Sequence, residues 1–310
     1  MKSKRRASLR KILSNINLSK TEKIIRSKYK YTPGKPGRPP VSPTGLFLSF
    51  ILMFLRTESY RDYHAFLERD DFWRRTLGFD SVPDIGNFTH FLNRIGKNTI
   101  EQLMQDIVQQ LLNQEFLNIH MVAIDGSIIP ANIDDPKAGW GWDHIEKKPV
   151  YGYKIHVLID TRSELPIAIT ITKAGKHDST QFKPLYKMLK GYHTRFPTRF
   201  FTADKGYDAS YIRRILQKDS IRPVIKAAHV PFEPHYPKWF KDKYRKRTSV
   251  ERFFSRFKEH VDLKRQGIYG KRNVELHCIF ISIGMLLVGF FNQQNGFSPR
   301  SVKTFLRKYT

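Results

Sequence analysis

The sequence predicts an α/β protein, in which a mixed β-sheet with flanking helices follows an all-helical region and a basic N-terminal arm. The first observation is that the spacing of apolar residues changes from a helical to a strand period at His120. The second is a cluster of Pro and Gly at 33–40, which cannot continue a regular helix. The third is a hydrophobic content of 40% over 310 residues, enough to bury a substantial core.

The chain is strongly basic. It contains 55 Lys and Arg against 28 Asp and Glu, which gives a formal charge of +27. Such a charge repels itself in a compact fold unless a polyanion offsets it, and nucleic acid is the commonest polyanion. An anionic membrane surface is the alternative, but it requires a clear basic amphipathic helix, for which only the N-terminal arm is a candidate.

The single cysteine, Cys278, excludes a disulfide scaffold and a cysteine-rich zinc site. The N-terminus has no apolar core of an export signal, and the longest apolar run, 278–291, is shorter than the roughly 18 residues of a membrane span. We therefore expect a protein of the reducing cytoplasm with no membrane partner.

Four segments are predicted: 1–41 as a basic arm and linker, 42–117 as a helical region, 118–295 as the α/β domain, and 296–310 as a basic tail. Residues 1–40 contain 13 Lys and Arg and one acid, Glu22. A solvated tail without a binding role fits the same composition. The helical region is expected to contain three or four helices with short links.

The α/β domain is predicted from short apolar or alternating runs. Strands are expected at 121–124, 151–157, 167–172, 200–203 and 221–225, and helices at 179–189, 210–216 and 248–260. The second and third strands form a hairpin. The order β, β, β, α, β, α, β, α indicates a mixed sheet with helices on it.

Three acids occupy positions that suit catalysis. Asp125 and Asp204 each follow a buried strand and precede glycine within two residues, where open α/β sheets bind ligands. Glu251 lies at the edge of the apolar face of the 248–260 helix. Three hard oxygen donors without cysteine indicate Mg²⁺, and two such ions can support in-line phosphoryl displacement. Taken singly, each Asp could instead be a turn residue, and the Glu could be solvated.

The residues around Glu251 follow a pattern. Tyr244, Arg247, Glu251 and Lys258 are separated by two, three and six residues, which places the last three on one helix face. This face is expected to combine a metal-binding carboxylate with cations for DNA phosphates. The alternative is an ion-paired stripe without a catalytic role.

Two further groups are less specific. Asp178 lies at a strand-to-helix corner and could approach the metals, but capping of the following helix is the favoured interpretation. His156 is expected to be a structural histidine. The acidic patch with Trp140 and Trp142 is expected to be a flexible loop that orders on DNA.

These motifs together resemble a DDE transposase of prokaryotic insertion sequences, in the group with the Y-R-E-K signature. The resemblance rests on the blocks Ala-Ile-Asp-Gly-Ser at 123–127, Ala-Asp-Lys-Gly-Tyr-Asp at 203–208, and Arg-Thr-Ser-Val-Glu-Arg-Phe-Phe at 247–254. Gly-Arg-Pro-Pro at 37–40 and Ser-Tyr-Arg-Asp-Tyr at 59–63 resemble the N-terminal region of the family. The similarity covers nearly the whole chain.

The resemblance implies an RNase H-like fold with Asp125 on the first strand, Asp204 after the fourth and Glu251 on a later helix. It implies that these three acids bind two Mg²⁺ ions, for which Mn²⁺ can substitute. DNA-binding residues are then expected at Tyr244, Arg247 and Lys258, together with Arg252 and Lys205. The large β-rich insertion of hairpin-forming relatives is absent, because only 25 residues separate Ile225 from Glu251.

The predicted function is that of a transposase that binds the terminal inverted repeats of its element. It would hydrolyse the phosphodiester at each end and join the 3′-hydroxyl to target DNA, within a homodimer or larger synaptic complex associated with the prokaryotic nucleoid. One alternative is a structure-selective nuclease, similar to a junction resolvase, on the same fold. Another is a catalytically silent, transposase-derived DNA-binding protein, although all three acids are present.

Overall fold

The computed structural model describes residues 11–302, apart from positions 13, 15, 16, 30–40, 57, 145, 229, 230 and 233. The predicted linker at 30–40, the first ten residues of the arm and most of the tail lie outside the described residues. Contacts divide the chain into two compact units. One holds the described residues as far as Ile107, Arg265–Gly267 and those from Leu276 onward; the other holds Val108–Lys264 and Ile268–Glu275. This division differs from the predicted boundaries at 117 and 295.

Six helices precede the sheet in the described part of the chain. They are α1 (Leu18–Tyr29), α2 (Pro43–Leu55), α3 (Tyr60–Arg69), α4 (Asp71–Thr76), α5 (Ile85–Ile95) and α6 (Lys97–Asn113). Five of them follow residue 42, one more than the upper number predicted. Phe50 of α2 lies at the centre of an aromatic cluster, with ring centroids 5.7 Å from Phe88 and 5.9 Å from Phe91.

Helix α1 corrects the prediction of a mobile arm for its residues. Thr21, Ile25 and Tyr29 are buried, and the helix contacts α2 and α5. The prediction considered only the composition of this segment, which Lys and Arg dominate. The buried positions are spaced four apart, so they lie on one face of the helix. The basic charge therefore lies on the other face of a packed helix.

The long helix α11 (Lys271–Gln294) contains the most apolar stretch of the chain. Among the described residues it is the one helix long and apolar enough to cross a membrane, but its apolar window is entirely buried within the structure. The core helix of a globular protein has the same length and composition. Phe280 of this helix stacks on Phe50 with ring centroids 4.9 Å apart.

The second unit is built on one six-stranded sheet. Its strands are β1 (Met121–Pro130), β2 (Gly139–Asp143), β3 (Lys148–Asp160), β4 (Leu165–Lys173), β5 (Phe200–Ala203) and β6 (Arg222–Ile225). The order is β2-β3-β1-β5-β6, with β4 also paired to β3. Strand β3 is antiparallel to β1, β2 and β4, whereas β1, β5 and β6 are parallel. This is the predicted mixed sheet of an RNase H-like fold.

Strand β2 corrects the prediction of a flexible loop. Trp140 pairs with Tyr151 of β3, and Gly141 packs so closely on Ala174 that an added Cβ would lie 2.6 Å from the carbonyl carbon of Ala174. Asp135 is fully buried and accepts hydrogen bonds from the hydroxyl of Tyr153 and from the backbone of the later segment at Gly270, each 2.8 Å long. Acidic composition suggested a solvated loop, but two glycines allow this segment to join the sheet edge.

Four helices lie between or after the later strands among the described residues of this unit. They are α7 (Phe182–His193), α8 (Ser210–Lys218), α9 (Lys238–Tyr244) and α10 (Thr248–Lys258). Helix α10 contacts β1 through an apolar face of Val250, Phe253, Phe254 and Phe257, all of which are buried as predicted. Because β2 is an additional strand, Asp204 follows the fifth strand observed rather than the fourth.

Candidate active site

Asp125 is the residue at which β1 leaves the core. The four preceding residues, Met121–Ile124, are buried, whereas the side chain of Asp125 is 19% exposed. Its Oδ1 accepts a hydrogen bond of 2.8 Å from the backbone amide of Gly126. A carboxylate is thus held in the partly exposed middle of β1, directly after the buried first half of the strand.

Asp204 lies beside Asp125 because β5 runs parallel to β1. Ala123 pairs with Thr202, so the register brings the two aspartates, each two residues further on, to the same edge of the sheet. The Oδ1 of Asp204 accepts a hydrogen bond of 2.9 Å from the backbone amide of Gly206 and caps the short 3-10 turn Lys205–Tyr207. The structure therefore brings together the first two acids that the sequence predicts.

Burial and the charge of a neighbouring carboxylate raise the pKa of each aspartate. Burial, and then the charge of Asp204, raise the pKa of Asp125 to about 7. Burial, and then the charge of Asp178, raise the pKa of Asp204. Negative charge is therefore concentrated where little water can screen it, which is the condition for binding a cation.

Glu251 is joined to Asp125 through one guanidinium. Arg247 Nη2 lies 2.5 Å from Glu251 Oε1, and Arg247 Nη1 lies 3.6 Å from Asp125 Oδ2. Glu251 itself is 52% exposed, so its side chain is free to change rotamer. The ion pair of the predicted stripe is formed, and its arginine also reaches the aspartate pair.

The three acids are close but are not arranged as metal ligands. Within the part of the chain that the structure describes, no group of three His, Cys, Asp or Glu side chains is positioned to hold a metal ion. Arg247 lies between Asp125 and Glu251, where it offsets their charge. Binding of a cation by all three acids would require Arg247 to move aside.

Asp178 does not have the predicted role of a helix cap. It makes no side-chain cap, because His177 occupies the N-cap position of the 3-10 turn Asp178–Gln181 and no cap hydrogen bond is formed. Its carboxylate instead approaches β3, with Oδ2 3.3 Å from Lys154 Nζ and Oδ1 3.3 Å from His156 Nδ1. His156 is fully buried and also bonds Thr172 Oγ1 at 2.8 Å, as expected of a structural histidine.

The predicted DNA-binding residues fall into two groups. Lys205 and Lys258 are exposed. Tyr244 is half-buried, and the guanidinium carbon of Arg247 lies 5.9 Å from the centroid of its ring. Arg252 differs, because its guanidinium donates to Glu164 Oε1 at 2.6 Å and 2.9 Å. This contact favours a structural role for Arg252 over the predicted contact with DNA.

A cleft of about 500 Å³ opens beside Tyr244. The rings of Tyr236, Phe240 and Tyr244 are stacked along one wall, with centroids 4.3 Å and 5.9 Å apart. Its cationic lining consists of Lys226, Lys241 and Arg245. Stacked aromatic rings and cations are the chemistry that binds nucleic acid, so this wall extends the basic surface next to the acids.

Sequence reasoning missed three residues of the site, Lys154, Tyr207 and Glu164. Lys154 is far in sequence from Asp178, and Glu164 is far from the two arginines that it contacts, Arg252 and Arg256. No local pattern reveals such pairings. Tyr207 lies within the Asp-Lys-Gly-Tyr-Asp block, and its position three residues after Asp204 was the available signal. It is fully buried, as the structure shows.

Gly126 provides a test of how tightly this site is built. A Cβ at this position would lie 2.2 Å from Asp178 Oδ1 and 3.1 Å from His156 Nδ1. We expect Gly126→Ala to displace Asp178 and to lower the DNA cleavage that the sequence predicts by roughly tenfold or more, since small misplacements of catalytic groups are costly. The measurement is the cleavage rate, with Gly191→Ala as control, because nothing lies within 4 Å of a Cβ there. Equal rates for both variants would contradict the close packing of Asp178 on β1.

Comparison with known proteins agrees with this geometry. Residues 119–287 match the family described as the transposase DDE domain, and residues 1–94 match a second transposase domain, DUF772. A Burkholderia cepacia protein named as a transposase for insertion sequence element IS402 is 29% identical over 143 residues. The match covers 44% of this chain and 62% of that protein, so the chain spans less than two thirds of the relative's length.

Two solved structures are also similar. A piggyBac transposase synaptic complex with hairpin DNA has 12% identity and a TM-score of 0.49, over 96% of this chain and 76% of that one. The catalytic domain of the Mos1 mariner transposase has 14% identity and a TM-score of 0.26, over 63% of this chain and 95% of that one.

The mixed sheet, with Asp125 on its central strand β1 and Asp204 directly after the parallel strand β5, has the strand arrangement of the RNase H-like class. The family match at 119–287 spans more than half of the 310 residues. The chain therefore belongs to the transposase DDE domain family, as the resemblance of its motifs predicted.

Proposed function

We propose that this protein is a DNA transposase that cleaves at the ends of an insertion sequence and joins the freed 3′-hydroxyl to target DNA. The observation that carries the proposal is the pair Asp125 and Asp204. They lie side by side, Asp125 in the middle of β1 and Asp204 directly after the parallel strand β5. In this site, burial and the charge of a neighbouring carboxylate raise the pKa of each aspartate. Family membership supplies the reaction class, and the charge of +27 supports a DNA substrate.

The residues present fit a site for divalent cations. Asp125, Asp204 and Glu251 provide hard oxygen donors once Arg247 moves aside, and a bound cation would offset the burial and repulsion that penalise the ionised form of Asp125. We propose Mg²⁺, with two ions per site and Mn²⁺ able to substitute. When bound, such ions supply Lewis-acid stabilisation of the attacking and leaving oxygens of an in-line displacement.

The chain's own residues have separate tasks in this proposal. Asp125, Asp204 and Glu251 would hold the cations, with Asp125 contributing to both and Asp204 and Glu251 to one each. Arg247, which bridges Asp125 and Glu251 in the structure, turns to a DNA phosphate when the acids are otherwise neutralised. Tyr244 lies beside it and orients the same phosphate.

The substrates and assembly are proposed on the same basis. The DNA partners are the double-stranded transposon ends and the target. The stretch 237–272, with 13 Lys and Arg and 4 acids, would bind phosphates near the chemistry, and the helices before the sheet would recognise the ends. A homodimer or larger synaptic complex would hold two ends together, and the nucleoid of a prokaryote would be its location.

The decisive experiment uses a supercoiled plasmid that carries the DNA flanking this gene. The purified full chain is incubated with the plasmid and Mg²⁺ or Mn²⁺, and products are resolved on gels and sequenced. We expect cleavage at the element ends and joined products that carry the ends in new DNA. Cleavage without joining would favour the nuclease alternative, and binding without cleavage would favour a silent DNA-binding protein.

Lys258 tests the proposed phosphate contacts. It is exposed at the end of α10, two helical turns from Glu251 on the same face. We expect Lys258→Ala to weaken binding to transposon-end DNA severalfold and to lower the slope of log K against log salt by about 1. Binding would be measured by fluorescence anisotropy at several salt concentrations.

A matched control for this measurement is Lys187→Ala, which removes an exposed lysine from α7. An unchanged salt slope for Lys258→Ala, equal to that of the control, would return Lys258 to a solvated surface role.

A further inference from the structure

We propose that Asp178 is a fourth carboxylate ligand of the cation site, held ready by Lys154 and His156. This inference rests on the proposed function and adds a residue to its site. It also changes the meaning of the 3-10 turn Asp178–Gln181, which becomes part of the catalytic centre rather than a helix start.

The position of Asp178 follows from the glycine after Asp125. An added Cβ on Gly126 would nearly coincide with Asp178 Oδ1, at 2.2 Å, so the carboxylate lies directly on the backbone of β1. The turn that carries Asp178 also contacts the turn Lys205–Tyr207 that follows Asp204. The three aspartates thus converge from β1, from the end of β5 and from the corner after β4.

Charge interactions within this group confirm that they are close. The charge of Asp178 is the second largest cause, after burial, of the raised pKa of Asp204, and it also raises the pKa of Asp125. Burial alone would raise the pKa of Asp178 as well, but His156 and Lys154 lower it overall. These interactions agree with the position of Asp178 against the backbone of β1, where its Oδ1 would nearly coincide with a Cβ on Gly126.

A separate observation points to a bound group at this place. Tyr207 is fully buried, and its hydroxyl has no hydrogen-bond partner among the described residues. After burial, the charges of Asp178, Asp125 and Asp204 are the causes that raise its pKa, so the hydroxyl is aimed into the acidic group. An unpaired buried hydroxyl destabilises the fold, and a hydration shell or ligand in the site would satisfy it.

Lys154 and His156 of β3 hold the carboxylate of Asp178 in place when no metal is bound. Lys154 Nζ lies 3.3 Å from Asp178 Oδ2, and His156 Nδ1 lies 3.3 Å from Oδ1. Neither is a short contact, and Oδ1 accepts no hydrogen bond from the described part of the chain. A carboxylate held loosely by a lysine can exchange that cation for a divalent ion, while the buried His156 keeps its orientation.

The experiment measures binding of Mn²⁺ to the full chain without DNA. Free Mn²⁺ is followed by electron paramagnetic resonance at pH 8 for wild type, Asp178→Asn and Asp125→Asn. The control is Asp219→Asn, which removes the same charge at a site bound by Tyr186 and Lys190. We expect Asp178→Asn to weaken the apparent affinity by about tenfold or more, Asp125→Asn to weaken it further, and the control to equal wild type.

The outcomes separate this inference from the proposed function. Wild-type affinity in Asp178→Asn, with reduced affinity in Asp125→Asn, would overturn the role of Asp178 and leave the proposed site standing. Wild-type affinity in both variants would remove the cation site itself.

Lys154→Met provides a second test that does not alter any acid. If Asp178 is a ligand, loss of the competing ammonium strengthens Mn²⁺ binding severalfold. If Asp178 and Lys154 form only a structural ion pair, the affinity stays at the wild-type value and the inference fails. Circular dichroism of each variant establishes that it is folded.

Discussion

We expect Asp125→Asn and Asp204→Asn to lower DNA cleavage by about 10³-fold or more while leaving binding to transposon-end DNA nearly unchanged. Each variant keeps the shape of the side chain and removes one charged oxygen donor, so the loss is that of cation-dependent transition-state stabilisation, worth several kcal/mol. Cleavage of a labelled transposon end and anisotropy of the same duplex would measure the two effects.

Asp125→Asn should raise the stability of the fold although it lowers cleavage. Burial and the charge of Asp204 raise the pKa of Asp125 from 3.8 to about 7, so the folded protein holds a proton that the unfolded chain releases. Stability contributed by this group is therefore lost as pH rises from about 4 to 7, and Asn removes this penalty. In EDTA, Asp125→Asn should be more stable than wild type by about 1–3 kcal/mol at pH 8 and equal to it near pH 4.

Glu251→Gln is the matched comparison. Glu251 is 52% exposed, so its replacement should abolish cleavage with little change in thermal stability at any pH. An active Asp125→Asn or Asp204→Asn enzyme would contradict the site. An inactive Asp125→Asn that is less stable than wild type at pH 8 would show instead that the aspartate has a structural role.

The sequence predicted the order of the elements and the two aspartates for local reasons. Met121–Ile124 and β5 are short apolar runs that are each followed by an acid, and the parallel pairing of β1 with β5 then determines that Asp125 and Asp204 meet. The second half of β1, as far as Pro130, was not predicted. Strand β2 was missed because its glycines and acids resemble a loop. Its place in the sheet depends on close contact of Gly141 with Ala174, which no local pattern records.

The contacts that complete the site are long-range. Asp178 approaches Lys154, 24 positions earlier, and local capping propensity gave the wrong role because the tertiary charge partner outweighs a cap. Arg252 contacts Glu164 across 88 positions, and a basic helix gives no indication of which arginine faces DNA and which faces the protein. Pairings of this kind require the fold before they can be inferred.

The second large effect is expected at Glu164, in the turn between β3 and β4. Its side chain is fully buried and is bound by Arg252 Nη2 at 2.6 Å and by Arg256 Nη1 at 2.9 Å. Arg256 also donates to the Glu164 carbonyl oxygen at 3.2 Å. Two arginines of α10 thus form ion pairs with one buried carboxylate. These ion pairs determine the position of α10 against the sheet, and therefore the position of Glu251.

We expect Glu164→Ala to destabilise the protein by about 3 kcal/mol, since it leaves the partly buried guanidinium of Arg256 without its counterion. Urea unfolding would measure this loss, and Glu164→Gln should recover part of it by keeping the hydrogen bonds. Arg256→Ala should lower the free energy of unfolding more than Arg252→Ala, because the side chain of Arg256 is 17% exposed and that of Arg252 is 50% exposed. If Glu164→Ala unfolds at the wild-type urea concentration but loses cleavage, the carboxylate acts in catalysis and not in the placement of α10. If stability and cleavage fall together and Glu164→Gln restores both, the ion-paired turn is what places Glu251 at the end of the sheet.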